Sequence, residues 1–146
     1  MAGTTAAAVK AALRAAMLAE AGLAGVPVSY GEPGDLARSE HIWIGSATTG
    51  DSDLVAFKAG RNRRDESYLV DVVVDVSSMA SAETSEARAV ELVTVIEEML
   101  ADDPKLGEVP NLLWCILESW DLTTQDYADG PRSVMSLSLK ARGRIL

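Results

Sequence analysis

Between Ser67 and Val76 apolar and polar residues alternate with a period of two. Tyr68, Val70, Val72, Val74 and Val76 fall on one side and Leu69, Asp71, Val73 and Asp75 on the other. Successive side chains of a strand point to opposite faces, so this pattern predicts a long strand with one face built for a core and the other half polar. Just upstream, Gly60 to Glu66 (GRNRRDE) reads as an arginine-rich loop that launches the strand.

The remaining pattern gives two helices and five further strands. Val9, Leu13, Ala16 and Met17 recur at helical spacing, with Thr4 or Thr5 placed to accept hydrogen bonds from the first free amides and Gly22 and Gly25 to end the helix. Val28 to Tyr30, His41 to Gly45 and Leu54 to Phe57 read as short strands, with Thr48 to Asp51 breaking the second from the third. A second helix starts at Ser81 and carries the stripe Ala89, Leu92, Val93, Ile96, Met99 and Leu100. Asp102-Asp103-Pro104 closes it.

Leu112 to Leu122 alternates as a strand, Leu112, Trp114, Ile116 and Trp120 against Leu113, Cys115, Leu117 and Ser119. A loop is expected from Thr123 to Arg132. The last strand points Met135, Leu137, Leu139 and Ala141 inward and Ser136, Ser138, Lys140 and Arg142 outward. The order α-β-β-β-β-α-β-β predicts one α+β domain over residues 1–146: a mostly antiparallel mixed sheet with both helices packed on one face.

Charge changes the picture next. Twenty-two acidic against thirteen basic residues leave a formal charge of −9, which disfavours sequence-independent binding to phosphate backbones. There is one cysteine, Cys115, in an apolar run, where it reads as a small buried hydrophobe. The alanine-rich start is interrupted by Lys10, Arg14 and Glu20 and has no charged leader region, and no run of about 18 uncharged apolar residues exists. A soluble chain that stays where it is synthesised, with no membrane partner, is the expectation.

Candidate chemistry is sparse. His41 is the only histidine, with no second soft ligand beside it, and reads as the start of a strand on a half-exposed face. No phosphate-cradling glycine loop and no nucleophile elbow is present. Asp71 and Asp75 share a strand face and could in principle serve as a carboxylate pair, the basis of an alternative reading as a small cytosolic enzyme. The polar side of a sheet, or a partner for arginines across an interface, fits them better. No catalytic residue, cofactor or metal is therefore assigned. Arg61, Arg63 and Arg64 are candidate interface anchors, because guanidinium forks pair bidentately with carboxylates. Asp65, Glu66, Asp71 and Asp75 are the acids that could receive them, and Leu69 and Val73 are the apolar residues of the same exposed strand face.

Taken over its whole length, the layout resembles the tail terminator (tail-completion) proteins of long-tailed bacteriophages, particularly those of actinobacterial hosts. The segments that carry the resemblance are VSYGEPGD, HIWIG, GRNRRDESYLVDVVVDV, the helix EARAVELVTVIEEML, DDPKLG and the Trp-bearing strand pair. Nine arginines against four lysines fit a GC-rich genome. The resemblance implies a structural virion protein that acts as a ring, usually of six copies. That ring sits on the head-proximal end of the tail tube, stops tube polymerisation and meets the neck. The implied partners are further copies of the chain, the tail tube protein and a head-closure protein, with DNA passing the lumen without tight binding. Assembly would take place in the host cytoplasm. Another neck or head-closure component of the same virion is the alternative it leaves open.

Overall fold

Val9, Leu13 and Met17 are fully buried along one stripe of the first helix, α1 (Ala6–Ala19), and a short 3-10 turn, Ala21–Leu23, follows it. The computed structural model describes residues 3–34, 39–58, 61–77, 80–128 and 130–145; side chains at 46–47 and 54–63 lie outside that description. After α1 come β1 (Val28–Ser29), β2 (Glu40–Lys58), β3 (Arg61–Ser77), α2 (Ala82–Asp102), β4 (Leu112–Tyr127) and β5 (Gly130–Ile145). The five strands form one sheet in the order β1-β2-β3-β5-β4, antiparallel throughout except for the short β1–β2 pair.

Both helices lie on one face, as the α+β reading expects. Tyr68, Val70, Val72, Val74 and Val76 of β3 and Met135, Leu137, Leu139 and Ala141 of β5 join the α1 stripe and Ala89, Leu92, Val93, Ile96 and Leu100 of α2 in one core. Period-two burial on the strands meets period-3.6 burial on the helices, which is what a two-layer core requires. Ser81 caps α2 by accepting from the Thr84 amide at 3.2 Å. Arg88 grips Glu40 at the start of β2 through a fork of 2.6 and 3.2 Å.

Three expectations are corrected. First, residues 41–45 and 54–57 are not separate strands. Thr48 to Asp51 stays paired with Val70 to Ser67, with an irregularity between Ile44 and Thr48. Gly50 is not a turn residue: a Cβ there would stand 2.7 Å from the Tyr68 Cβ and 2.9 Å from the Ser67 carbonyl oxygen, so it marks a close approach inside a strand.

Second, the arginine-rich segment is strand and not loop. Arg61 to Glu66 pair with Lys58 to Ser52 in a long hairpin, and Ala59 and Gly60 lie outside the described residues. Residues 123–127 and 130–132, expected as loop, likewise extend the β4–β5 hairpin. Asn62, Asp65 and Glu66 in the first segment and Asp126, Gly130 and Pro131 in the second are residues that strands disfavour, but an antiparallel partner supplies the backbone bonds regardless.

Third, the alternation read across Leu112 to Leu122 does not persist. Register irregularities fall between Leu112 and Trp114 and between Leu117 and Ser119. Trp114 and Ile116 pair with the outward Arg142 and Lys140, whereas Trp120 pairs with the inward Leu137. A bulge flips every side chain beyond it, so Trp120 sits on the helix side, at the rim, 59% exposed.

Candidate interaction surface

The face of the sheet turned away from the helices carries most of the residues singled out from the sequence. Register lays them out in rows across β2, β3, β5 and β4. His41, Asp75, Val134 and Thr123 form one row, and Trp43, Val73, Ser136 and Asp121 the next. Thr49, Leu69, Lys140 and Ile116 form a row further along, followed by Asp51, Ser67, Arg142 and Trp114; Asp53, Asp65 and Arg144 close the series.

The two ends of this face are tied by ion pairs within the chain. Asp75, only 3% exposed, is held by Arg132: Nε donates to both carboxylate oxygens at 3.0 Å and Nη2 donates to Oδ2. Hydrogen bonding to Asp75 raises the Arg132 guanidinium above its ordinary range, against the opposing effect of burial. Asp65, 5% exposed, lies between two arginines. Arg144 donates from Nε at 2.9 Å and from Nη2 at 3.2 Å, and Arg142 donates from Nη2 at 3.1 Å while also reaching Ser67. The Arg144 bond, with help from Arg142, holds the Asp65 carboxyl below the usual carboxylate range.

Glu66 points the other way, into the helix side. Its Oε1 accepts from both the amide and the hydroxyl of Thr5 at 2.7 Å, and the Tyr68 hydroxyl lies 2.7 Å from the same Thr5 oxygen. Burial pushes the Tyr68 phenol up to about 12. Thr5 therefore does not cap α1 as the sequence suggested; Thr4 Oγ1 accepts from the Ala6 amide at 3.2 Å instead, and a carboxylate from β3 takes the Thr5 amide. Gly143 makes room for this cluster, since a Cβ would come 2.9 Å from Thr5 Oγ1 and 3.0 Å from Glu66 Oε1.

The candidate interface residues thus separate. Among the described residues, Asp65 and Asp75 are buried against arginines of β5 and Glu66 against Thr5, all within their own chain. Sequence reading missed the β5 arginines as their partners because 57 and 79 positions separate Arg132 from Asp75 and Arg144 from Asp65. Arg64 is exposed, and the side chains of Arg61 and Arg63 lie outside the described residues. Leu69 (40% exposed), Ile116 (46% exposed), the exposed Asp71 and the half-buried Val73 make up the middle of the open face. A shallow hollow of about 320 Å³ lies along its Thr49–Leu69–Lys140 row.

This geometry does not provide a paired-carboxylate site. Arg132 takes Asp75, and among the described residues Asp71 receives a 3.4 Å bond from the Ser138 hydroxyl. His41 is buried, contrary to the half-exposed expectation, and its Nε2 finds no hydrogen-bond partner among the described residues. Among those residues no three His, Cys, Asp or Glu side chains converge as a metal would require. No described helix is long and apolar enough to cross a membrane.

No protein-family model matches the chain, and no curated protein sequence does. Among solved structures, the chain is similar to one from the virion of a native gene transfer agent (GTA) particle. The TM-score is 0.63 and the identity 18%, and the match covers 99% of this chain and 100% of the other. The two proteins share one α+β fold from end to end.

Proposed function

We propose that this protein is a structural component of a virion: a tail terminator that closes the head-proximal end of a phage tail tube as a ring, with six copies as the expected number. The observation that carries this reading is the full-length likeness to a chain of a gene transfer agent virion. The order of segments that resembles tail terminators supports the finer assignment. In this role the chain works by surfaces and not by chemistry. A rigid two-layer domain presents an open sheet face with Leu69, Val73 and Ile116 to neighbours, and its acidic balance lets a DNA genome pass without being held. The partners are further copies, the tube protein on one side and a head-closure protein on the other.

Electron microscopy of the purified chain mixed with polymerising tube protein tests the assignment. Rings at one end of tubes that have stopped growing are expected. Free tube growth in its presence would refute the terminator role, and rings found only on capsid portals would make it a head-closure component.

A further inference from the structure

β2 and β4 each present a long, largely uncovered edge of the sheet. Among the described residues β1 flanks only Ile42 and Trp43 of β2, so no strand borders β2 from Gly45 to Lys58. On the other side, the Cys115 amide donates to the Pro104 carbonyl at 2.8 Å, and from Ile116 to Tyr127 no strand among the described residues borders β4. Consecutive exposure, which a strand covered on one face would not have, marks both stretches: Thr49 to Asp53 on β2 and Glu118 to Asp121 on β4. Unpaired edges of this length are templates for another strand.

The topology makes the two edges complementary to each other. β2 and β5 run one way and β3 and β4 the other. Two copies side by side in the same orientation therefore bring β4 of one against β2 of the next, antiparallel, continuing the pattern inside the sheet. The open stretches are staggered: the middle of one lies level with Ser67 of β3 and the middle of the other with Val73. Bringing them together shifts neighbours by about six residues, roughly 20 Å. A stagger of one sign at each joint tilts the strands, as closing a sheet on itself demands. The contact is head-to-tail, the type that makes rings.

Resting on the ring reading above, we infer that copies of this chain join by antiparallel pairing of the β4 edge of one with the β2 edge of the next. Both edges carry acids and no base along their open middles, Asp51 and Asp53 on one and Glu118, Asp121 and Asp126 on the other. Such charges keep edges apart in dilute solution, so pairing strengthens with salt or on a template.

Thr49 and Thr123 lie on the same sheet face, one on each edge, and both are exposed. The variants Thr49→Cys and Thr123→Cys, mixed and treated with a short bis-maleimide at about 0.5 M salt, where charge repulsion is screened, test the pairing. Cys115 is fully buried, and burial pushes its thiol up to about 12, so it stays unlabelled in the folded chain. The expected product is the mixed dimer, and the double variant should give a ladder that ends at the ring. Like-with-like dimers dominating, or oligomers in light scattering without the mixed product, would overturn edge pairing while sparing the ring. Mixed dimers with no larger species would overturn the ring and spare the pairing. A strict monomer with and without tube protein would overturn both.

Discussion

Thr5 is bound to Glu66 twice, backbone amide and hydroxyl both donating to one carboxylate oxygen at 2.7 Å across 61 positions of sequence. The start of α1 is thereby fastened to β3. A negative charge at that point also meets the positive end of the helix dipole.

Glu66→Ala should therefore lower unfolding free energy by about 1–3 kcal/mol, the scale for leaving buried donors without a partner. Glu66→Gln, which keeps an acceptor, should lose less. Gly143→Ala should destabilise by a similar amount through overpacking against Thr5 and Glu66. Urea denaturation of the three variants checks the order.

Acid sensitivity should concentrate at Asp65. Its folded carboxyl titrates below the ordinary 3.8, held there first by the Arg144 hydrogen bond. A depressed folded pKa contributes stability that is fully present above the unfolded value and lost as pH falls through the folded one. Melting temperatures followed from pH 5 downward should fall less steeply below about pH 4 for Asp65→Asn than for the parent. Parallel curves would mean that the arginines do not hold the carboxylate in solution.

Arg132→Ala strands a buried carboxylate. Because the Arg132 side chain is itself a third exposed, water reaches the pair, and the expected loss is about 2 kcal/mol, below that of a fully enclosed one. Arg132→Ala combined with Asp75→Asn should recover part of it in the same denaturation assay.

Leu69→Glu should weaken self-association or tube capping without changing the melting temperature, since Leu69 contributes to the open face and not to the core. Arg63→Glu with Arg64→Glu should impair capping too if the hairpin arginines meet carboxylates of a neighbour, at about 2–5 kcal/mol for each desolvated pair lost. Wild-type capping by the double variant would assign those arginines to solvent.

Strong periodicity was legible and its interruptions were not. β3 from Tyr68, β5 from Met135 and α2 were readable because their buried faces there are unbroken runs of apolar residues at one period. The middle of β2 was hidden because Thr49 to Asp53 is wet on both sides, which removes alternation, and because Gly50 imitates a turn while serving a close approach. The Trp120 side was misread for a different reason: a one-residue bulge leaves no mark in composition, yet inverts everything after it. On the candidate surface, Leu69, Asp71 and Val73 were placed on the correct face from β3 alone. The pairing of Asp65 and Asp75 depends on which strand lies beside β3, and neither spacing nor local pattern carries that information.

That neighbour is β5, and its position has a kinetic consequence. β5 follows β4 in sequence but lies between β4 and β3. Each hairpin closes over a short connection, whereas the β3–β5 seam joins residues such as Glu66 and Gly143 that are far apart along the chain. Closing so distant a contact is slow because the chain surrenders much freedom before any bond rewards it. The two hairpins are thus expected to form early and dock late. Until they do, the apolar flanks of β3 and β5 are bare at the same moment as the outer edges. That is the interval in which crowded chains would most easily join the wrong strands, and the acids along β2 and β4 work against such pairing.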